Sequence, residues 1–205
     1  MTQADPRIYL ASRSPRRREL LHQIGVRFDL LAFRAPPRED VEVNESVLPG
    51  ESAEDYVVRV ARAKVVHGGK LLGARQVPSR PLLAADTTID LDGEIIGKPR
   101  DEADAAAILS RLSGRSHRVL TAVALAGSNR IEHALSISTV RFRELNSEEI
   151  RRYANSGEPL DKAGAYAIQG HAAIFVAEIQ GSHSGIVGLP LCETALLLRR
   201  FSYPI

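Results

Sequence analysis

The chain alternates short apolar runs with amphipathic stretches. Ile8 to Ala11 is the first apolar run and predicts a strand. Ser12 to Ser14 turn the chain, Ser14 suits an N-cap and Pro15 the first helical position. Leu20, Leu21 and Ile24 then form a stripe at helical spacing, with Gly25 as the stop. Val26 to Phe33 predicts a second strand and Ala35 to Gly50 a loop. Ser52 caps the next helix, whose core-facing stripe is Tyr56, Val57, Val60, Ala61 and Lys64, and Gly68-Gly69 weaken or end it. Leu82 to Ala85 is consistent with a buried strand, and Asp92-Gly93 turns it into a hairpin with Glu94 to Ile96.

Asp101 to Leu112 reads as a helix stopped by Gly114. Ser116 to Ala126 and Ile131 to Phe142 predict a second hairpin around Gly127 to Asn129. Asn146 caps a short helix reaching about Ala154, and Gly157-Glu158-Pro159 breaks it. Leu160 to Gly170 is a loop whose glycines and small residues let backbone pass close to a ligand. Ile174 to Ile179 reads as a strand, Gly181 to Gly185 as a loop, and a last helix begins at Leu189-Pro190. Strands alternating with helices, with hairpins among them, predict an α/β fold with a mixed sheet, in one domain spanning 1–205.

The 205 residues are 44% hydrophobic and 25% charged, enough for one sizeable core or two closely joined lobes. The net charge of +2, without a basic run interleaved with aromatics, argues against a nucleic-acid surface. Cys192 is the only cysteine, so a reducing compartment fits, and it reads as a small core residue. Met1 to Arg7 is short and polar, and no apolar run approaches the ~20 residues of a membrane span. No membrane partner and a cytoplasmic location are therefore expected. The six histidines show no metal-ligand spacing.

Charge placement raises the candidate chemistry. Arg16, Arg17 and Arg18 occupy a helical first turn, where acidic residues are the rule. Either they fan into solvent, or the turn, the free N–H groups and the arginines form a phosphate site. Lys64 lies on an apolar face and either snorkels to the rim of the core or meets phosphate in a cleft. Asp86 directly follows a buried apolar run and needs a partner, which is a structural cation, a metal ion or a substrate-binding lysine. Asp86, Thr88 and Asp90 share one strand face, Thr87, Ile89 and Leu91 the other. Pro99 keeps Lys98 extended, as an ordinary loop lysine would be. In the acidic loop, Glu39 and Asp40 read as solvated.

Several separated segments carry a resemblance. Ser12-Arg13-Ser14-Pro15-Arg16-Arg17, Ala85-Asp86-Thr87, Gly97-Lys98-Pro99, Leu160 to Gly170 and Val187-Gly188-Leu189-Pro190 resemble, in order, the signatures of the Maf family of nucleoside triphosphate pyrophosphatases, over roughly Ile8 to Phe201. The resemblance implies a Maf / inosine triphosphatase-like fold: a twisted mixed sheet flanked by helices, with two lobes and a central cleft. It implies hydrolysis between the α- and β-phosphates to monophosphate and pyrophosphate. The third signature is similar to the branch acting on dTTP and UTP.

By the same resemblance, Asp86 is the catalytic carboxylate and Lys98 a functional lysine. Ser12, Arg16, Arg17 and Lys64 bind the triphosphate, and Arg16, Thr87 and Gln169 select the base. A Gln amide can match the N3–H and carbonyl edge of uracil or thymine. Glu45, with Asp86, is implied as ligand of a divalent cation, Mg²⁺ or Mn²⁺, while Asn44 stands where the family usually has Asp. The implied role is housecleaning of nucleotide pools, and homodimers are common in the family. Two alternatives stay open: a nucleotide-binding regulator of septum formation, and the same chemistry on a methylated guanine nucleotide.

Overall fold

The computed structural model describes residues 6–31 and 43–205. Its strands are β1 (Arg7–Leu10), β2 (Arg27–Leu30), β3 (Leu82–Leu91), β4 (Glu94–Ile96), β5 (Ser116–Gly127), β6 (Arg130–Phe142) and β7 (Val176–Gln180). Its α-helices are α1 (Pro15–Gln23), α2 (Ala53–Ala74), α3 (Glu102–Leu112), α4 (Ser147–Ala154), α5 (His183–Val187) and α6 (Leu191–Arg200). The strands form one mixed sheet in the order β2-β1-β3-β5-β6-β7, with β4 on β3. β1 is parallel to β2 and β3, and the remaining pairs are antiparallel. The α/β class with a mixed sheet is as expected.

The chain leaves β1 through α1 to β2 on one side and comes back through α2 to β3 on the other. The direction of winding therefore reverses between β1 and β3, the place where sheets of this kind open a crevice beyond the strand ends. Alternation along β3 sorts its side chains. Leu83 and Ala85 pack with β1, α1 and α6, whereas Leu82 and Ala84 pack with α2. Ile89 and Leu91 lie on the same face as Leu83 but in a separate apolar cluster with α3, α4, Phe142, Tyr166 and Phe175. Thr87 falls between these two clusters, so one face of one strand carries two lobes.

Several expectations are corrected. The second strand ends at Leu30, because its partner β1 is only four residues long; a final bond from Leu31 N–H to Leu10 O closes the pairing. α2 runs through Gly68-Gly69 to Ala74. Gly68 does not stop it: a Cβ there would stand 2.8 Å from Leu82 Cδ2 and 3.0 Å from Leu31 Cδ2, so the glycine lets the helix lie close on the sheet. His171–Phe175 is a 3₁₀ turn, with the strand beginning at Val176. Residues expected as loop at 181–185 include the start of α5, capped by Ser182, which accepts from Gly185 N–H at 3.0 Å. Ser14 is the N-cap of α1 by position but makes no side-chain cap bond. Cys192 is exposed on α6, not in the core. Glu39 and Asp40 lie outside the described residues. Among the described residues no helix is long and apolar enough to cross a membrane.

Candidate active site

β1 pairs with β3 at Leu82 and Leu83, and β4 joins at Ile89 to Leu91. β5 covers the opposite edge continuously from Leu82 to Asp90. Since Leu82, Leu83, Ile89 and Asp90 each pair on both sides, β1 and β4 flank the same edge of β3, and among the described residues no strand pairs there with the stretch from Ala84 to Thr88 between them. An edge opened inside the molecule exposes both faces of the strand. Asp86 on the α2 face and Thr87 on the other both line the resulting cleft of about 1060 Å³. Ser12, Arg16, Arg17, Glu45, Lys64, Asp86, Thr87, Lys98 and Gln169 all line it, so the structure brings every predicted site residue together. Arg13 joins them; Arg18 is not part of the lining.

Arg17 is anchored on three segments. Its Nε donates to Gly188 O at 2.8 Å, Nη1 to Ser12 Oγ at 3.3 Å and Nη2 to Thr87 Oγ1 at 3.3 Å. A guanidinium has five N–H donors, so two remain for a ligand. Burial pulls its pKa below the ordinary range, with the Asp86 charge opposing. Ser12 Oγ also accepts from Ser14 N–H at 3.2 Å, which tightens the turn into α1.

A chain of hydroxyls orients Thr87. Thr121 Oγ1 donates to Gly185 O at 2.8 Å and lies 2.8 Å from Thr87 Oγ1. A hydroxyl has one proton. Thr121 spends its own on Gly185, so Thr87 is the donor to Thr121 and accepts from Arg17. The lone pair left on Thr87 can only accept, for instance from the N–H of a base.

On the α2 face, Lys64 Nζ stands 2.7 Å from Asp86 Oδ1 and 2.9 Å from Glu45 Oε1. The ammonium thus emerges into the cleft instead of snorkelling to bulk water. Burial pushes the Glu45 carboxyl up, but Lys64, Lys98 and Arg17 together hold its pKa below the usual value. The loop bearing Glu45 is tied to α2. Tyr56 Oη donates to Glu45 O at 3.1 Å, and Arg59 donates to Asn44 O at 2.8 Å and Ser46 O at 2.9 Å. Burial and the charges of Asp86 and Glu45 push the Tyr56 phenol up to about 12, so it stays a donor. The Asn44 amide oxygen accepts Ser46 N–H at 2.9 Å, a local turn bond within the loop.

A third wall is the segment from Asp161 to Gln169. Gly164 N–H donates to Gly97 O at 2.9 Å, which couples this wall to the backbone beside Lys98. Arg16 lies 3.8 Å from Asp161 across the cleft. Gln169 is exposed on the lining.

The acidic donors of the cleft are two carboxylates already bridged by an ammonium. Glu45 and Asp86 face one another across a shared lysine, and among the described residues no group of three or more His, Cys, Asp or Glu could hold a metal. Two carboxylates suit Mg²⁺ or Mn²⁺, which keep waters and phosphate oxygens as further ligands, and do not suit a zinc cage.

Arg59 and Thr121 were not singled out from the sequence, and Tyr56 and Gly188 were named there, on a helical stripe and in a signature, without a role in the site. Tyr56 carried a usable signal: it lies eight residues before Lys64 on the same helical stripe. Thr121 and Gly188 act through distant partners, which local spacing does not disclose.

A profile of the family described as Maf-like protein matches residues 7–201. The chain is 59% identical over 197 residues to a dTTP/UTP pyrophosphatase of Dechloromonas aromatica, covering 96% of this chain and 98% of that relative. It is 60% identical over 200 residues to a dTTP/UTP pyrophosphatase of Aromatoleum aromaticum, covering 97% of each. Among solved structures, the Staphylococcus aureus Ham1 protein matches with a TM-score of 0.51 at 15% identity, over 96% of this chain and 98% of that one, a likeness of fold alone.

Proposed function

The chain belongs to the Maf family, and we propose that its cleft hydrolyses dTTP and UTP between the α- and β-phosphates, as the names of its relatives indicate. The observation that carries this reading is the convergence of cations and carboxylates on the open edge of β3. Ser12, Arg16, Arg17 and Lys64 bind the triphosphate, with the N-terminus of α1 adding free N–H groups. Asp86 takes the proton of the water that attacks the α-phosphorus, and Lys98 offsets charge on the departing pyrophosphate. Thr87 and Gln169 face the base, Thr87 as acceptor and the Gln169 amide as both donor and acceptor, a pattern that suits a pyrimidine N3–H and carbonyl. Arg16 reaches the same region.

Glu45 and Asp86 would hold a divalent cation, Mg²⁺ or Mn²⁺, which when bound neutralises phosphate oxygens. We place the activity in a reducing cytoplasm, where a single exposed thiol persists, and in the removal of unwanted nucleotides.

The test is product analysis with dTTP, UTP and GTP, with Mg²⁺ or Mn²⁺, for wild type and Asp86→Asn. Monophosphate plus pyrophosphate from dTTP and UTP, reduced roughly 10²–10⁴-fold in the variant, is the expected result. Release of single phosphate, or turnover indifferent to Asp86→Asn, overturns it.

A further inference from the structure

Selecting a base with an amide requires that amide to be held in place. Misplacement by about 1 Å can cost 10²-fold. Gln169 stands in a turn closed by Gly170 N–H to Ala167 O at 3.0 Å, between two short 3₁₀ turns, and no helix or strand ladder fixes that turn on the rest of the fold.

Two side chains outside the cleft fix it instead. Tyr153, on α4 and 4% exposed, accepts from Ala167 N–H at 3.1 Å and donates to Glu158 Oε1 at 2.8 Å. Glu158 Oε2 accepts from His171 N–H at 3.3 Å and lies 2.9 Å from His171 Nδ1. The main chain is therefore gripped two residues before Gln169 and two residues after it, by two side chains bonded to each other. Gly170 closes the grip: a Cβ there would overlap the Glu158 carboxylate, so the carboxylate packs straight against the backbone next to Gln169. Tyr153 is itself seated edge-on against Phe175, with ring centroids 5.2 Å apart. Burial pushes its phenol up, which keeps the proton it donates. Burial also pushes Glu158 up, but the bonds from Tyr153 and His171 outweigh this and keep it an acceptor.

We infer that Glu158 and Tyr153 are positioning residues for base selection: they touch no substrate and act by clamping the backbone on both sides of Gln169. This rests on the reading that Gln169 contacts the base.

The experiment is steady-state kinetics of pyrophosphate release from dTTP and from GTP, for wild type, Gln169→Ala, Glu158→Ala, Glu158→Gln and Tyr153→Phe, with a thermal melt of each. In Glu158→Ala, kcat/KM for dTTP should fall ten- to hundredfold, mainly through KM, while the value for GTP stays within about twofold. Tyr153→Phe, which removes one oxygen and keeps the core ring, should move the same way; it carries the test if Glu158→Ala does not fold. Glu158→Gln keeps one acceptor oxygen, enough for Tyr153 but not also for His171 N–H, and should fall between Glu158→Ala and wild type. Gln169→Ala separates the two levels. If it changes the dTTP-to-GTP ratio while Glu158→Ala and Tyr153→Phe leave that ratio at the wild-type value, the clamp is overturned and the role of Gln169 stands. If Gln169→Ala leaves the ratio unchanged, the base-contact reading falls and the inference with it. An equal loss with both nucleotides would mark a merely structural role and also overturn the clamp.

Discussion

The Lys64 ammonium lies 2.7 Å from the Asp86 carboxylate, joining the middle of α2 to the open edge of β3 inside the cleft. It also reaches Glu45, so one cation holds together two carboxylates from different segments. Replacing Lys64 with Met keeps the stem and removes the charge. Glu45 then loses the largest of the charges that hold its carboxyl down, which disfavours its ionisation. The expected outcome is a fall in kcat/KM of roughly 10²–10³-fold, with the acidic limb of the pH–rate profile displaced to higher pH. An unchanged limb would show that the lysine is not coupled to the ionisation that limits the rate.

Thr121→Val tests the hydroxyl relay. The side chain is fully buried and the substitution preserves its shape, but it removes one of the two bonds to Gly185 O, which keeps Gly188 N–H at 3.0 Å, and it frees the Thr87 proton. Stability should drop by about 0.5–1.5 kcal/mol, the usual net contribution of one hydrogen bond. Thr87 can then turn its proton into the cleft, and the preference for dTTP over GTP should narrow. Urea titration and paired kinetics read the two effects separately.

Gly164→Ala tests the third wall. Gly164 has φ +72°, and a Cβ there would overlap Ile89 Cδ1. Left-handed backbone costs alanine about 1 kcal/mol and the overlap about 1–3 kcal/mol more. The variant should therefore be roughly 2–4 kcal/mol less stable, and its displaced backbone should loosen the bond to Gly97 and weaken turnover. A midpoint of urea unfolding equal to wild type would contradict the packing.

His117 makes stability depend on pH. It is 2% exposed, its Nε2 meets Tyr166 Oη at 2.9 Å and its Nδ1 has no partner among the described residues. Burial lowers its pKa from 6.5 to about 4. Between these values the unfolded chain binds the proton and the folded chain does not, so stability is complete above pH 6.5 and falls as the pH drops towards 4. From pH 7.5 to pH 5 the loss should be about 2 kcal/mol from this group. His117→Phe should lower stability overall while flattening that part of the profile, measured by urea unfolding at the two pH values.

Much of the fold was legible from the chain, for reasons that differ by element. β3, the Asp92-Gly93 hairpin, the Ser52 cap that starts α2 and α4 with its Asn146 cap follow local rules, and the structure has them where those rules put them. α5 does not. Its five residues include a glycine and have no helical periodicity; what stabilises them is the Ser182 cap and the Thr121 bond to Gly185 O, a contact made across 64 positions. The buried Ser138 of β6 is explained the same way, since it accepts from Ser182 N–H at 3.0 Å under α5. Gly68 misled because a glycine chosen for close packing and one chosen to end a helix are the same letter.

The site residues were legible through their motifs, but their hydrogen-bond roles were not. That Thr87 can only accept depends on Thr121, and the placing of Glu45 depends on Tyr56 and Arg59. Each of these partners is ordinary in its own neighbourhood and acquires its meaning only through the tertiary contact.

The bond from Arg17 Nε to Gly188 O spans 171 positions. A ribosome emits the residues near Arg17 long before Gly188. The arginine that faces the ligand is thus oriented by a part of the chain made 171 residues later. Until that carbonyl arrives, the growing polypeptide can display its basic turn without a finished cleft. The enzyme's competence is in this sense postponed until residue 188 has been made, and a chain cut short before it would lack the carbonyl that orients Arg17.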